Sequence, residues 1–168
     1  MDWYVRAFLK ASLAWLAMGV TLGVAMAARP VWTIYRLAHV HMVLLGFVTM
    51  MIYGVAYHVV PRFAGAPLRS RRAAVAHWWV SNAGLACMAI GFVLRPRGVE
   101  AGTAVLAMGG ALSALGAYAF VFLLWRTIDG SPAKLTRTER PAATSEGRAR
   151  PALPLASTGA VTGATRPD

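Results

Sequence analysis

Apolar and polar positions alternate along this chain in long blocks. No Asp, Glu, Lys or Arg occurs within 11–28, 37–61, 73–94 or 101–125, and the charges gather between these stretches. At 1.5 Å per helical residue, each stretch is long enough to cross the roughly 30 Å hydrocarbon layer of a bilayer. Strands of an open sheet would leave backbone N–H and C=O groups unpaired in lipid, so the stretches read as helices. The pattern predicts an all-α integral membrane bundle of four transmembrane helices, with spans at about 7–28, 37–60, 73–94 and 102–125 forming one domain over 1–126. Pro61 is expected to end the second helix.

The charges between the blocks sort by side. Arg6 and Lys10 precede the first span, Arg62, Arg69, Arg71 and Arg72 lie between the second and third, and Arg126, Lys134, Arg137 and Arg140 follow the fourth. The opposite side has Arg29, Arg36, Arg95 and Arg97. Positive charge favours the cytoplasmic side, so both termini and the middle loop are expected there, in a bacterial-type cytoplasmic (inner) membrane. Trp3, Tyr4, Trp32, Tyr35, Trp78, Trp79 and Trp125 fall near the span ends, as an aromatic belt does. The first span lacks a small-residue cleavage site before Arg29 and is read as a retained helix.

Composition agrees: 58% of the 168 residues are hydrophobic and the mean hydropathy is +0.54, too apolar for one small soluble core. The net charge of +11 suits anionic headgroups, and the arginines form no aromatic-interleaved patch of the kind that binds nucleic acid. From about Thr127 to Asp168 the chain turns to Pro, Ala, Thr, Ser, Gly and Arg and is expected to be a disordered, basic cytoplasmic tail. Cys87, the single cysteine, falls mid-span and reads as packing. Gly19 and Gly23 in the first span and Gly109 and Gly110 in the fourth are small-residue faces for helix contact, and Asn82 is placed to bond across helices.

Four histidines are the candidate chemistry. His39 and His41 are two residues apart, about 200° around a helix, so one metal cannot easily take both while two sites on opposite faces can. Neutral imidazole ligates haem iron and copper. His58 and His77 lie at the ends of their spans on the side of the 61–72 loop, where they either bond to carbonyls and headgroups or clamp one cofactor edge between adjacent helices. His39 and His58 are separated by about 28 Å of helix and cannot share a cofactor within one copy. Arg62 suits a haem propionate or a lipid phosphate. Tyr53 and Tyr57, four apart, either pack a helix interface or order His58 or a porphyrin edge.

The runs Ala38-His-Val-His-Met-Val-Leu44, His58-Val-Val-Pro-Arg-Phe-Ala-Gly65 and His77-Trp-Trp-Val-Ser-Asn-Ala-Gly84 resemble the tenth and eleventh helices of subunit I of the haem–copper (cytochrome c) oxidases. The resemblance covers about residues 36–95. It implies that His39 ligates a high-spin haem and His41 a low-spin haem. A complete subunit I has many more helices, which supply a second axial histidine and the histidines of a copper centre, so oxygen reduction by this chain alone is not expected and no catalytic residue is assigned. The Ala-His-x-His and Gly-Val-Ala-Tyr-His-x-x-Pro-Arg segments are also similar to haem and copper membrane proteins linked to nitric oxide and denitrification.

These readings lead to a haem-binding membrane protein, with haem of the b type and copper as a further possible metal, in respiratory electron transfer or haem handling. The competing reading is an accessory or assembly subunit of a respiratory or nitric-oxide-related complex without its own cofactor. The expected partners are the lipid bilayer and a second copy or a larger respiratory complex. A transporter or channel is disfavoured, because no span carries an acidic residue or a Gly/Pro-broken midpoint.

Overall fold

The computed structural model describes residues 1–130. They form four helices: α1 (Trp3–Ala28), α2 (Pro30–Phe63), α3 (Arg71–Leu94) and α4 (Ala101–Asp129). All four are long and apolar enough to cross a membrane, as expected of a multi-pass membrane protein. Large apolar side chains such as Val24, Ile52, Trp79, Leu115, Phe122 and Trp125 point outward from the bundle. An apolar exterior of this extent is compatible with a lipid surround.

The helices overrun the charge-free stretches. α1 begins at Trp3 and takes in Arg6 and Lys10, both exposed. Pro61 does not end α2, which continues through it to Phe63. Its missing N–H costs the carbonyl of Tyr57 a helical donor, one turn from the end of the helix. α4 also passes the expected boundary: Thr127 is buried and donates its hydroxyl to the Leu123 carbonyl at 2.7 Å. The rest of the expected tail lies outside the described residues.

Glycine shapes both ends of the loops flanking α3. Gly65 (φ 61°) follows α2, with its N–H on the Arg62 carbonyl and the Ala66 N–H on that of Pro61. Gly98 (φ 73°) repeats the pattern after the 3-10 turn Arg95–Arg97, toward the carbonyls of Arg95 and Leu94. This paired closure satisfies the last carbonyls of a helix and requires a left-handed residue, which glycine adopts without strain. Ser70 accepts the Ala73 N–H at 3.2 Å and starts α3.

α3 and α4 pack more extensively than any other pair. Their contact is built on glycines seven apart, Gly84 and Gly91 facing Gly102, Gly109 and Gly116. A Cβ on Gly91 would stand 2.7 Å from the Leu106 nitrogen, and one on Gly109 would stand 2.5 Å from the Met88 nitrogen. Backbone meets backbone here, as small residues permit where lipid removes the hydrophobic drive for association. α1 packs on α2 through Gly19, which lies under Val43, and Gly23, which lies under the ring of His39. Trp15 of α1 donates its indole N–H to Oδ1 of Asn82 on α3 at 3.1 Å, the cross-helix bond expected of that asparagine.

α2 is not a uniform α-helix. It opens as a 3-10 helix (Pro30–Tyr35), becomes α-helical over Arg36–His41, widens to a π-helix over Met42–Thr49 and returns to α over Met50–Phe63. The π segment lies where two neighbours press on Gly46: a Cβ there would fall 2.5 Å from that of Trp15 and 2.9 Å from Leu85. Thr49 donates its hydroxyl to the carbonyl five residues back, on Leu44, at 2.9 Å. The chain remains continuous but its helical type changes at mid-span, which the expectation of unbroken spans did not include.

The main apolar cluster, with Tyr4, Val5, Phe8, Met50, Tyr53, Tyr57, Ala74, Leu85 and Leu123, lies toward the start of α1 and α3 and the end of α2 and α4. That end also carries exposed Arg6, Lys10, Arg62, Arg69, Arg71, Arg72 and Arg126 and is called the arginine-rich end below.

Candidate functional site

His39 and His41 leave α2 toward different neighbours. The His39 ring lies over Gly23 of α1, and its Nδ1 is 2.8 Å from the carbonyl oxygen of Gly19. The His41 ring packs at 4.7 Å from Phe92 of α3, and its Nδ1 is 2.8 Å from the carbonyl oxygen of Leu37. A carbonyl only accepts, so in both rings Nδ1 carries the proton and donates, which in the neutral ring leaves Nε2 with a bare lone pair. Nε2 makes no hydrogen bond in either ring among the described residues. A neutral imidazole held by Nδ1–H on a carbonyl is the form in which histidine ligates a metal, its second nitrogen oriented by the first. The donor chemistry of this pair therefore fits an axial ligand. A Cβ on Gly23 would come within 2.9 Å of His39 Cε1, so the ring has its place only because residue 23 has no side chain.

His58 and Arg62 line a different space. A cavity of about 360 Å³ opens at the arginine-rich end, bounded by Asp2, Tyr4, Tyr57, His58, Arg62 and Arg71 among others. Arg62 donates to the carbonyl of His58 at 2.8 Å, within its own helix, and Arg71 pairs with Asp2 at 3.6 Å. Both guanidinium groups are exposed, and an ion pair of this kind contributes little to stability.

His77 is not at the surface. It is 2% exposed and is surrounded by Phe8, Tyr53, Tyr57 and Phe120, with ring centroids 4.6–6.0 Å away. Its Nδ1 is 2.8 Å from the hydroxyl of Tyr57, a bond between α2 and α3. The expected clamp of His58 and His77 is therefore not what the fold builds: His58 borders the end cavity, while His77 is turned into the bundle and held by a tyrosine. Tyr53 and Tyr57 correspondingly order His77 and not His58. The reason is the face each residue occupies, since Tyr53 and Tyr57 share the inward face of α2 and residue 58 lies one step around the helix from it.

Spacing alone missed this centre, because it treated all span-end histidines as interfacial. The available signal was the combination of Tyr53, Tyr57 and His77 with Gly116 on α4, where a Cβ would meet Ser81 Oγ at 2.5 Å and His77 Cδ2 at 3.5 Å. Buried His77 Nε2, Trp78 Nε1 and Ser81 Oγ find no partner among the described residues. Nor do the described residues gather three or more His, Cys, Asp or Glu at one point. No protein-family model matches this chain, and no curated protein matches it.

Proposed function

We propose that this chain is a membrane-embedded haem-binding protein in which His39 and His41 supply axial nitrogens on two faces of α2, serving electron transfer or haem handling. The observation that carries the reading is the matched pair of Nδ1 contacts to the carbonyls of Gly19 and Leu37, each 2.8 Å, which leave Nε2 of both rings without a hydrogen-bond partner among the described residues. The resemblance of residues 36–95 to part of a haem–copper oxidase subunit I supports the same assignment. Bound haem would supply a one-electron redox centre, and copper is the alternative metal for the same donors. The chain's own residues orient the imidazoles, and Gly23 makes room for one of them. A second copy, or a subunit of a larger respiratory complex, would contribute the ligands that this chain lacks. Arg62 and His58, on the end cavity, lie about 28 Å of helix from His39 and out of reach of a haem held by the pair, so Arg62 would meet a lipid phosphate or the propionate of a separate haem. The membrane in this reading is a bacterial-type cytoplasmic (inner) membrane, with both termini on the cytoplasmic side.

The test is an optical spectrum of the detergent-purified protein, oxidised and dithionite-reduced, beside His39→Ala and His41→Ala. Sharp reduced bands in the wild type that are lost or broadened in either variant support ligation by the pair. A featureless wild-type spectrum after expression with ample haem refutes it and leaves the accessory-subunit reading.

A further inference from the structure

A second, small space, partly open to the outside, lies between α2, α3 and α4 and is unrelated to the histidine pair. It has a volume of about 20 Å³ and is lined by Leu45, Thr49, Met50, Tyr53, Ser81, Leu85 and Ser113, so α2, α3 and α4 all border it. Four of these residues carry hydroxyls. A cavity that admits one water-sized sphere and offers two to four polar partners can hold one water molecule.

The hydroxyl hydrogens divide evenly. Thr49 commits its own to the Leu44 carbonyl at 2.9 Å, and Ser113 directs its own toward Met88 sulfur at 3.5 Å. Both oxygens keep lone pairs. Ser81 is 6% exposed with no partner for its Oγ, and the hydroxyl of Tyr53 makes no bond among the described residues. The lining therefore offers two uncommitted donors and two acceptor oxygens, which are the complements of one water molecule. An empty cavity would leave the Ser81 hydroxyl buried and unsatisfied, at the cost of a lost hydrogen bond.

We infer that this cavity binds a single ordered water, which accepts from Ser81 and Tyr53 and donates to Thr49 and Ser113. The water ties the last residue of the π segment to α3 and α4, and so holds the wide turn of α2 in register with the α3–α4 pair. The site is independent of haem.

The experiment is the unfolding equilibrium of Ser81→Ala, Tyr53→Phe and the double variant in mixed micelles, read by tryptophan fluorescence against SDS. The hydrated and dry cavities predict opposite signs for Ser81→Ala. With water bound, the substitution removes a satisfied hydroxyl and raises the unfolding constant by about fivefold, the equivalent of one ordinary hydrogen bond. In a dry cavity it removes an orphaned hydroxyl, and the constant falls or stays unchanged, which overturns the proposal. Because both residues would serve one water, the double variant should raise the constant by less than the product of the single effects. Strict multiplication of the two effects also counts against a shared water. Cross-relaxation between water and Ser81 or Thr49 protons, seen by NMR in the wild type and lost in Ser81→Ala, provides a readout separate from stability.

Discussion

Gly109 and Gly110 are neighbours in sequence with opposite surroundings, which makes them a controlled test of how α3 and α4 associate. A Cβ on Gly109 would lie 2.5 Å from the backbone nitrogen of Met88 and 2.7 Å from the carbonyl oxygen of Gly84; on Gly110 it would meet nothing within 4 Å. The first distance falls about 0.9 Å below the 3.4 Å at which ordinary contact begins, and the obstructing atoms belong to a helix backbone that cannot rotate aside. α3 and α4 must then part along their length, opening the contacts of Gly84, Gly91, Gly102 and Gly116. Forced insertion of a methyl into packed structure costs about 1–3 kcal/mol. Both substitutions gain the same helical preference of alanine over glycine, about 1 kcal/mol, so the difference between them isolates the packing. Gly109→Ala should therefore be less stable than Gly110→Ala by about 1–3 kcal/mol in reversible SDS unfolding from mild-detergent micelles. Two variants that agree within about 0.5 kcal/mol, the usual scatter for a neutral surface change, would show that the helices do not meet at this glycine.

Two further outcomes follow from the buried polar contacts. Tyr57→Phe leaves His77 Nδ1 without its 2.8 Å partner inside an aromatic enclosure, and should lower stability by about 1–3 kcal/mol, whereas Tyr57→Phe with His77→Phe should recover part of the loss; no recovery in the same unfolding assay would mean that the histidine matters for more than this bond. Asn82→Leu removes the acceptor for the Trp15 indole and should cost about 1 kcal/mol, with a blue shift of tryptophan emission; an unchanged spectrum and stability would place Trp15 elsewhere.

The four spans were legible because a bilayer imposes one simple rule on composition, the removal of charge over some twenty residues, and the chain obeys it. Their ends were less so. Arg6, Lys10 and Arg126 are helical and exposed, since a long basic side chain at a span end reaches out of the apolar layer without breaking the helix. The cross-helix role of Asn82 and the small face of Gly19 and Gly23 could be read from residue type. The heptad of glycines could not be read from Gly109 and Gly110 alone, because it emerges only when Gly84 and Gly91 are set against Gly102, Gly109 and Gly116. The π segment has no local signature in Met42–Thr49: it arises where Trp15 and Leu85 crowd Gly46. The His77 enclosure was hidden for a similar reason, since Phe8, Tyr53 and Phe120 come from three different helices. The separation of His39 and His41 onto different neighbours followed directly from helical geometry.

The large buried side chains crowd toward the arginine-rich end, while the opposite half of the α1–α2 contact rests on Gly19, Gly23 and Ala38. The distal halves of those two helices are held by the close approach of small residues and not by large side chains. The molecule is thus fastened by interleaved rings at one extremity and by bare backbone contact at the other, and His39 and His41 sit at the second, where a methyl added at Gly19 or Gly23 displaces an imidazole or its neighbour.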